Sequence, residues 1–184
     1  MTTIANKYFH TLSAYGIDQA IEEGKAWYPN AYKFCKFAAK HHDVTPQRVA
    51  AMLAVTSPRA RWSNNTLAVA MLLEDMHKPA YKHQKYYGIL GANARKGMLV
   101  ANDRYYSRHV TGPKVSTFYL NILGWQEPVT VDSIMSKAAG YGSDVNNRIR
   151  TEVTDAVNTL GQVIGLSPRD TQAAVWIAYR GTPA

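Results

Sequence analysis

Three of the eight prolines in this 184-residue chain stand where a helix can begin. Thr45-Pro46 and Ser167-Pro168 set a capping hydroxyl before a proline at the first helical position, where its missing N–H costs nothing. Gly112-Pro113 makes a tight turn that can end one short helix and start another. Apolar residues recur at helical spacing behind each: Val49, Met52, Leu53 and Val55; Val115, Phe118, Tyr119, Ile122 and Leu123; Ala173, Ala174, Trp176 and Ile177. Ser57–Trp62 (SPRARW) breaks the first of these helices, and Ser63 can cap another carrying Leu67, Val69 and Leu73. Asp170 resembles the second half of a capping box, Gly181 closes the last helix, and Glu152–Ile164 carries a further helical pattern. Alternating strand patterns are nearly absent, and Val129–Val131 is too short to anchor a sheet. The expectation is an all-α fold, in which one chain can leave a lobe and return to it.

Composition narrows the class. Hydrophobic residues at 46% and charged residues at 18% exclude a disordered tail. No stretch approaches the roughly 20 apolar residues of a membrane span, and Met1–His10 lacks the apolar run of a signal peptide. A cytoplasmic protein without a membrane partner, monomeric, is expected. Cys35 is the only cysteine, which forbids an internal disulfide and a four-thiolate iron–sulfur cluster. His41-His42 and His109 suggest no metal site, for want of a second ligand pair at useful spacing.

The formal charge of +8 is concentrated. His77–Lys114 holds eight Lys and Arg against Asp103 alone, while the other 146 residues are nearly balanced, 13 basic against 12 acidic. Tyr81, Tyr86, Tyr87, Tyr105 and Tyr106 are interleaved with that charge. Localised positive charge with flat rings is what a polyphosphate chain with exposed bases attracts. A solvated basic face is the plainer alternative.

That basic stretch runs into Arg108–Gly140. The turn at Gly112-Pro113 can present backbone N–H groups to phosphate, and Lys114 follows it. Asp132 precedes Ser133–Ala139 and can be a helix N-cap. A helix of about ten residues is roughly 15 Å long, and the return loop is long enough to bring Asp132 back towards Lys114. An amine and a carboxylate would then share a cleft.

This segment resembles the helix–hairpin–helix motif of the helix–hairpin–helix DNA glycosylase superfamily, which includes endonuclease III and the small 8-oxoguanine DNA glycosylase/lyases. In that family a hairpin ends in Gly-x-Lys, and an Asp follows 18 residues after the lysine. Gly112-Pro113-Lys114 and Val131-Asp132 keep that separation, with Asn121 and Trp125 also in similar places. Met52–Leu73 is similar to the family's base-gap loop, and Gly165–Gly181 to its C-terminal helix, so the resemblance covers about Pro46–Gly181. Three departures stand out: Val110 replaces the first hairpin glycine, Asp132-Ser133-Ile134 replaces Asp-x-His, and Lys137 replaces a common arginine.

The resemblance implies a two-lobed helical fold with a cleft between lobes. One helical lobe would span about 45–110, and the hairpin and second lobe 111–184 together with 1–44. It implies a DNA N-glycosylase with AP-lyase activity. Asp132 would stabilise the positive charge that develops on the sugar, and Lys114 would attack the sugar and form a Schiff base. The base must be flipped out and the gap plugged. Arg59, Arg61 and Trp62 would wedge there, Asn64 or Asn65 would bond a base edge, and Arg108 and Gly112 would meet the backbone. No cofactor is implied, although a structural monovalent cation at the hairpin is compatible with the motif. The departures raise two rivals: an enzyme on this scaffold that modifies hypermodified thymine in viral DNA, and a non-catalytic DNA-binding or inhibitory module. The cell would be bacterial, or a virus-infected host.

Overall fold

The computed structural model of the chain describes residues 1–76 and 88–181, and every regular element among them is helical. In order they are α1 (Thr3–Tyr15), α2 (Ile17–His41), α3 (Pro46–Thr56), α4 (Trp62–Asp75), α5 (Gly91–Asn102), a short 3-10 helix (Tyr106–His109), α6 (Pro113–Ile122), α7 (Ser133–Ala138), α8 (Asn147–Ile164) and α9 (Pro168–Arg180). The all-α expectation holds for the described residues. No helix among them is long and apolar enough to cross a membrane. Lys78, Lys82, Lys85, Tyr81, Tyr86 and Tyr87 of the basic stretch lie outside the described residues.

The three Pro-led starts are helix starts. Thr45 Oγ1 accepts from Arg48 N at 3.2 Å, and Ser167 Oγ accepts from Asp170 N at 3.1 Å. Only half of the expected capping box forms, because the Asp170 carboxylate takes Arg169 Nε at 2.8 Å instead of reaching back. Ser63 is not a cap: α4 begins at Trp62, with Arg61, two residues before Ser63, in the N-cap position and no side-chain bond there. α8 begins at Asn147 rather than Glu152, since Asn146 Oδ1 accepts from Ile149 N at 2.9 Å and supplies a start that apolar spacing does not reveal.

The chain forms two units: Met1–Asn30 with Gly124–Ala184, called here the discontinuous unit, and Ala31–Leu123, the inserted unit. The chain does leave one unit and return to it, but the boundaries differ from those expected near 44 and 110. The hairpin falls in the inserted unit because α6 buries Phe118 and Ile122 and packs on α3. α3 is buried from Val49 to Thr56, so it is the central helix of that unit, apolar on all sides as such a position requires. In the discontinuous unit α1, α8 and α9 pack mutually, with Tyr8, Leu12, Met135, Val153, Val157 and Leu160 in the core.

Charge follows this division. The inserted unit has 14 Lys and Arg against 4 Asp and Glu, a net +10. The discontinuous unit has 7 against 9, a net −2.

Candidate functional site

In the inserted unit, α3 and α4 are joined by a four-residue turn closed by Ala60 N donating to Ser57 O at 3.1 Å. Its tip residue, Arg59, has φ +59°, a left-handed backbone that an arginine adopts at a cost of order 1 kcal/mol. The turn is held from α5, where Asn93 Nδ2 donates to Pro58 O at 2.8 Å. Arg59 and Arg61 are exposed, and Trp62 is half-buried as the first residue of α4. The turn and the start of α4 thus carry two exposed guanidiniums and a half-buried indole within four residues.

The two asparagines that follow differ. Asn65 is 1% exposed; its Oδ1 accepts from Thr56 Oγ1 at 2.6 Å, and its Nδ2 donates to Leu53 O at 3.0 Å. Both ends of the amide are spent on joining α4 to α3, so Asn65 positions the turn and does not face a base. Asn64 is half-buried beside Gly88, where a Cβ would meet its Nδ2 at 1.9 Å.

The hairpin is organised by Asp103. Its Oδ1 accepts from Tyr105 N at 2.9 Å, and its Oδ2 meets His109 Nε2 at 2.7 Å and Arg108 Nε at 2.6 Å. The bond from the Tyr105 backbone, then His109 and Arg108, holds this carboxyl below its usual range. Arg108 remains on the surface while paired to Asp103. Gly112 has φ +89°, which lets the chain turn sharply into Pro113, and no side chain caps α6 there. Lys114 is half-buried in the first turn of α6. Behind it, burial and the neighbouring Tyr106 push the Tyr119 hydroxyl up to about 12.

In the discontinuous unit, Asp132 is the N-cap of α7, as its position before Ser133 suggests. Oδ1 accepts from Ile134 N at 2.9 Å and from Met135 N at 3.0 Å. Oδ2 accepts from Trp176 Nε1 at 3.2 Å. The carboxylate is half-buried and fixed from both sides. Trp176 is itself set by neighbours: the Trp27 ring meets it edge-on at 6.0 Å, and the Arg180 guanidinium lies over it at 4.8 Å. Below, α1 braces α7, with the Tyr8 hydroxyl donating to Met135 O at 2.9 Å and Lys7 Nζ to Ala139 O at 3.0 Å. Burial first, and then the Asp132 charge, keep the Tyr8 hydroxyl protonated.

Of the residues expected at a site, Arg59, Arg61, Trp62, Asn64, Asn65, Arg108, Gly112 and Lys114 therefore belong to the inserted unit, and Asp132 to the discontinuous one. Sequence reading takes Trp176 for a core aromatic and gives α1 no role. Their partners lie 44 and 127 or more residues away in the chain, beyond any local pattern. Among the described residues no group of three or more His, Cys, Asp or Glu is placed to hold a metal ion.

No curated protein and no solved structure matches the chain. A family model does match it over residues 9–183, nearly its whole length: a family of unknown function (DUF7178).

Proposed function

We propose that the chain, which belongs to the DUF7178 family, acts on DNA as an N-glycosylase with AP-lyase activity, excising a damaged or modified base. The inserted unit holds the backbone through its excess of lysine and arginine. Arg59, Arg61 and Trp62 fill the gap left by the flipped nucleotide. Asp132 stabilises positive charge on the sugar as the bond to the base breaks. The Lys114 amine bonds to the anomeric carbon, and the base departs with the bonding electrons and takes a proton from solvent. The sugar ring then opens to a Schiff base, from which the strand is cleaved by elimination.

The observation that carries this reading is the Asp132 carboxylate, half-exposed and held by three donors in one orientation. A carboxylate fixed before the reaction costs no reorganisation during it. The test is product analysis on oligonucleotides bearing single modified bases. A free base from wild type, and none from Asp132→Asn with DNA affinity retained, supports excision. An altered base still attached to its sugar would instead place the chain among base-modifying enzymes.

One observation favours a second reading, a non-catalytic DNA-binding module. All three bonds to Asp132 come from the chain's own α7 and α9, as they would for a purely structural cap. That reading predicts salt-sensitive DNA binding and no product with either protein.

A further inference from the structure

The C-terminal half of α2 carries a surface that the excision reading does not use. Lys33, Lys36, Phe37, Lys40 and His41 are all exposed. At 3.6 residues per turn they fall within an arc of about 140°, while Ala31, Cys35, Ala38 and Ala39 on the opposite arc are buried. Phe37 is 70% exposed, among the large apolar side chains most open to solvent, and its ring stacks on His41 at 5.5 Å with 28° between planes. Lys36 Nζ lies 5.6 Å from the Tyr32 ring centre. No acid falls within the arc. The acids near the helix end are Asp43 and Glu74, and Glu74 pairs with His42 at 3.7 Å.

We propose that this face of α2 binds an unpaired stretch of nucleic acid, with a base stacked on the Phe37–His41 pair and phosphates on Lys36 and Lys40. The charge suits a polyanion, and the face belongs to a unit whose net charge is +10. A single exposed ring among lysines matches a stacking platform, where each base offers a face and sequence is not read. An anionic membrane is a poorer fit, because surface-bound helices insert a broad apolar face, and here the apolar arc is turned inward. The surface belongs to the inserted unit and Asp132 to the discontinuous one, and the proposal does not depend on what Asp132 does.

The test is anisotropy titration of the full chain with a labelled oligothymidylate of about 15 nucleotides, a length near the upper end of single-strand site sizes, and with a duplex of equal length. Phe37→Ala should weaken oligothymidylate binding by about 5- to 150-fold, the range for losing one base stack, with duplex affinity unchanged. Phe37→Trp should restore it. Lys36→Gln with Lys40→Gln should lower the salt slope on the single strand by about 1.4, two phosphate contacts. Phe37 is exposed, so the melting temperature should not move. No binding of oligothymidylate by wild type, unchanged affinity in Phe37→Ala, or equal loss on duplex would overturn the proposal. So would a Phe37→Ala defect seen on phosphatidylserine vesicles and not on the oligonucleotide. Asp132→Asn should bind oligothymidylate as wild type does, so a failure of the excision reading leaves this surface standing.

Discussion

The indole N–H of Trp176 donates to Oδ2 of Asp132 at 3.2 Å, while Oδ1 of the same carboxylate closes the first turn of α7. A helix terminus on one side and an indole on the other leave that side chain little rotational freedom. The same bond ties α9, on which α7 packs through a shared apolar core, to the α7 N-terminus.

Asparagine at position 132 keeps the capping oxygen, since it is a good N-cap residue. Its amide nitrogen then faces the Trp176 N–H, donor against donor. Asp132→Asn should therefore destabilise the discontinuous unit by about 1–2 kcal/mol. In a Trp176→Phe background the same change should cost about 1 kcal/mol less, because the opposed donor is gone. A double-mutant cycle by urea denaturation measures this coupling; additive effects would show that the bond contributes nothing.

Glycines give a contrast within one chain. A Cβ at Gly24 would meet the Cβ and backbone N of Ala174, each at 2.8 Å, whereas one at Gly91 meets nothing within 4 Å. Gly24→Ala should lose about 1–3 kcal/mol from the clash, outweighing its gain in helix propensity. Gly91→Ala should be neutral or gain up to about 1 kcal/mol. Thermal melts of the two variants check both.

How far could the sequence be read? The Pro-led starts at Thr45, Gly112 and Ser167 are local events, governed by a cap and a fixed φ, and the structure has helices at all three. Asp132 as an N-cap was legible for the same reason. The boundaries of the units were not, because they depend on which helices bury which faces, as when α6 joins α3. Asn65 looked like a base reader in a basic loop, yet burial turns its amide inward onto Thr56 and Leu53. The charge excess was legible as a run, His77–Lys114; that this run belongs to one unit with net charge +10 required the fold.

Asp103 supplies a pH dependence. Its folded carboxyl lies below the usual value of 3.8, so its stabilising effect is present above that value and is lost as the pH falls through the folded one. Asp103→Asn should lower the melting temperature at neutral pH. The gap from wild type should close as the pH is taken below 3.8. A gap that persists unchanged in acid would mean the carboxylate charge is not what holds the hairpin.

Cys35 should be inert. It is fully buried, and burial pushes its thiol up to about 12. Iodoacetamide at about pH 8 should leave native protein unmodified and add one group after denaturation, read by mass spectrometry. Rapid native labelling would show that this side of α2 opens.

The most direct test of the enzyme reading is borohydride trapping on DNA with an abasic site. Wild type should give a covalent protein–DNA adduct, while Lys114→Ala and Lys114→Arg should give none, with Lys114→Arg keeping its DNA affinity because the charge remains. Absence of any wild-type adduct, or an adduct that survives Lys114→Ala, would contradict the assignment.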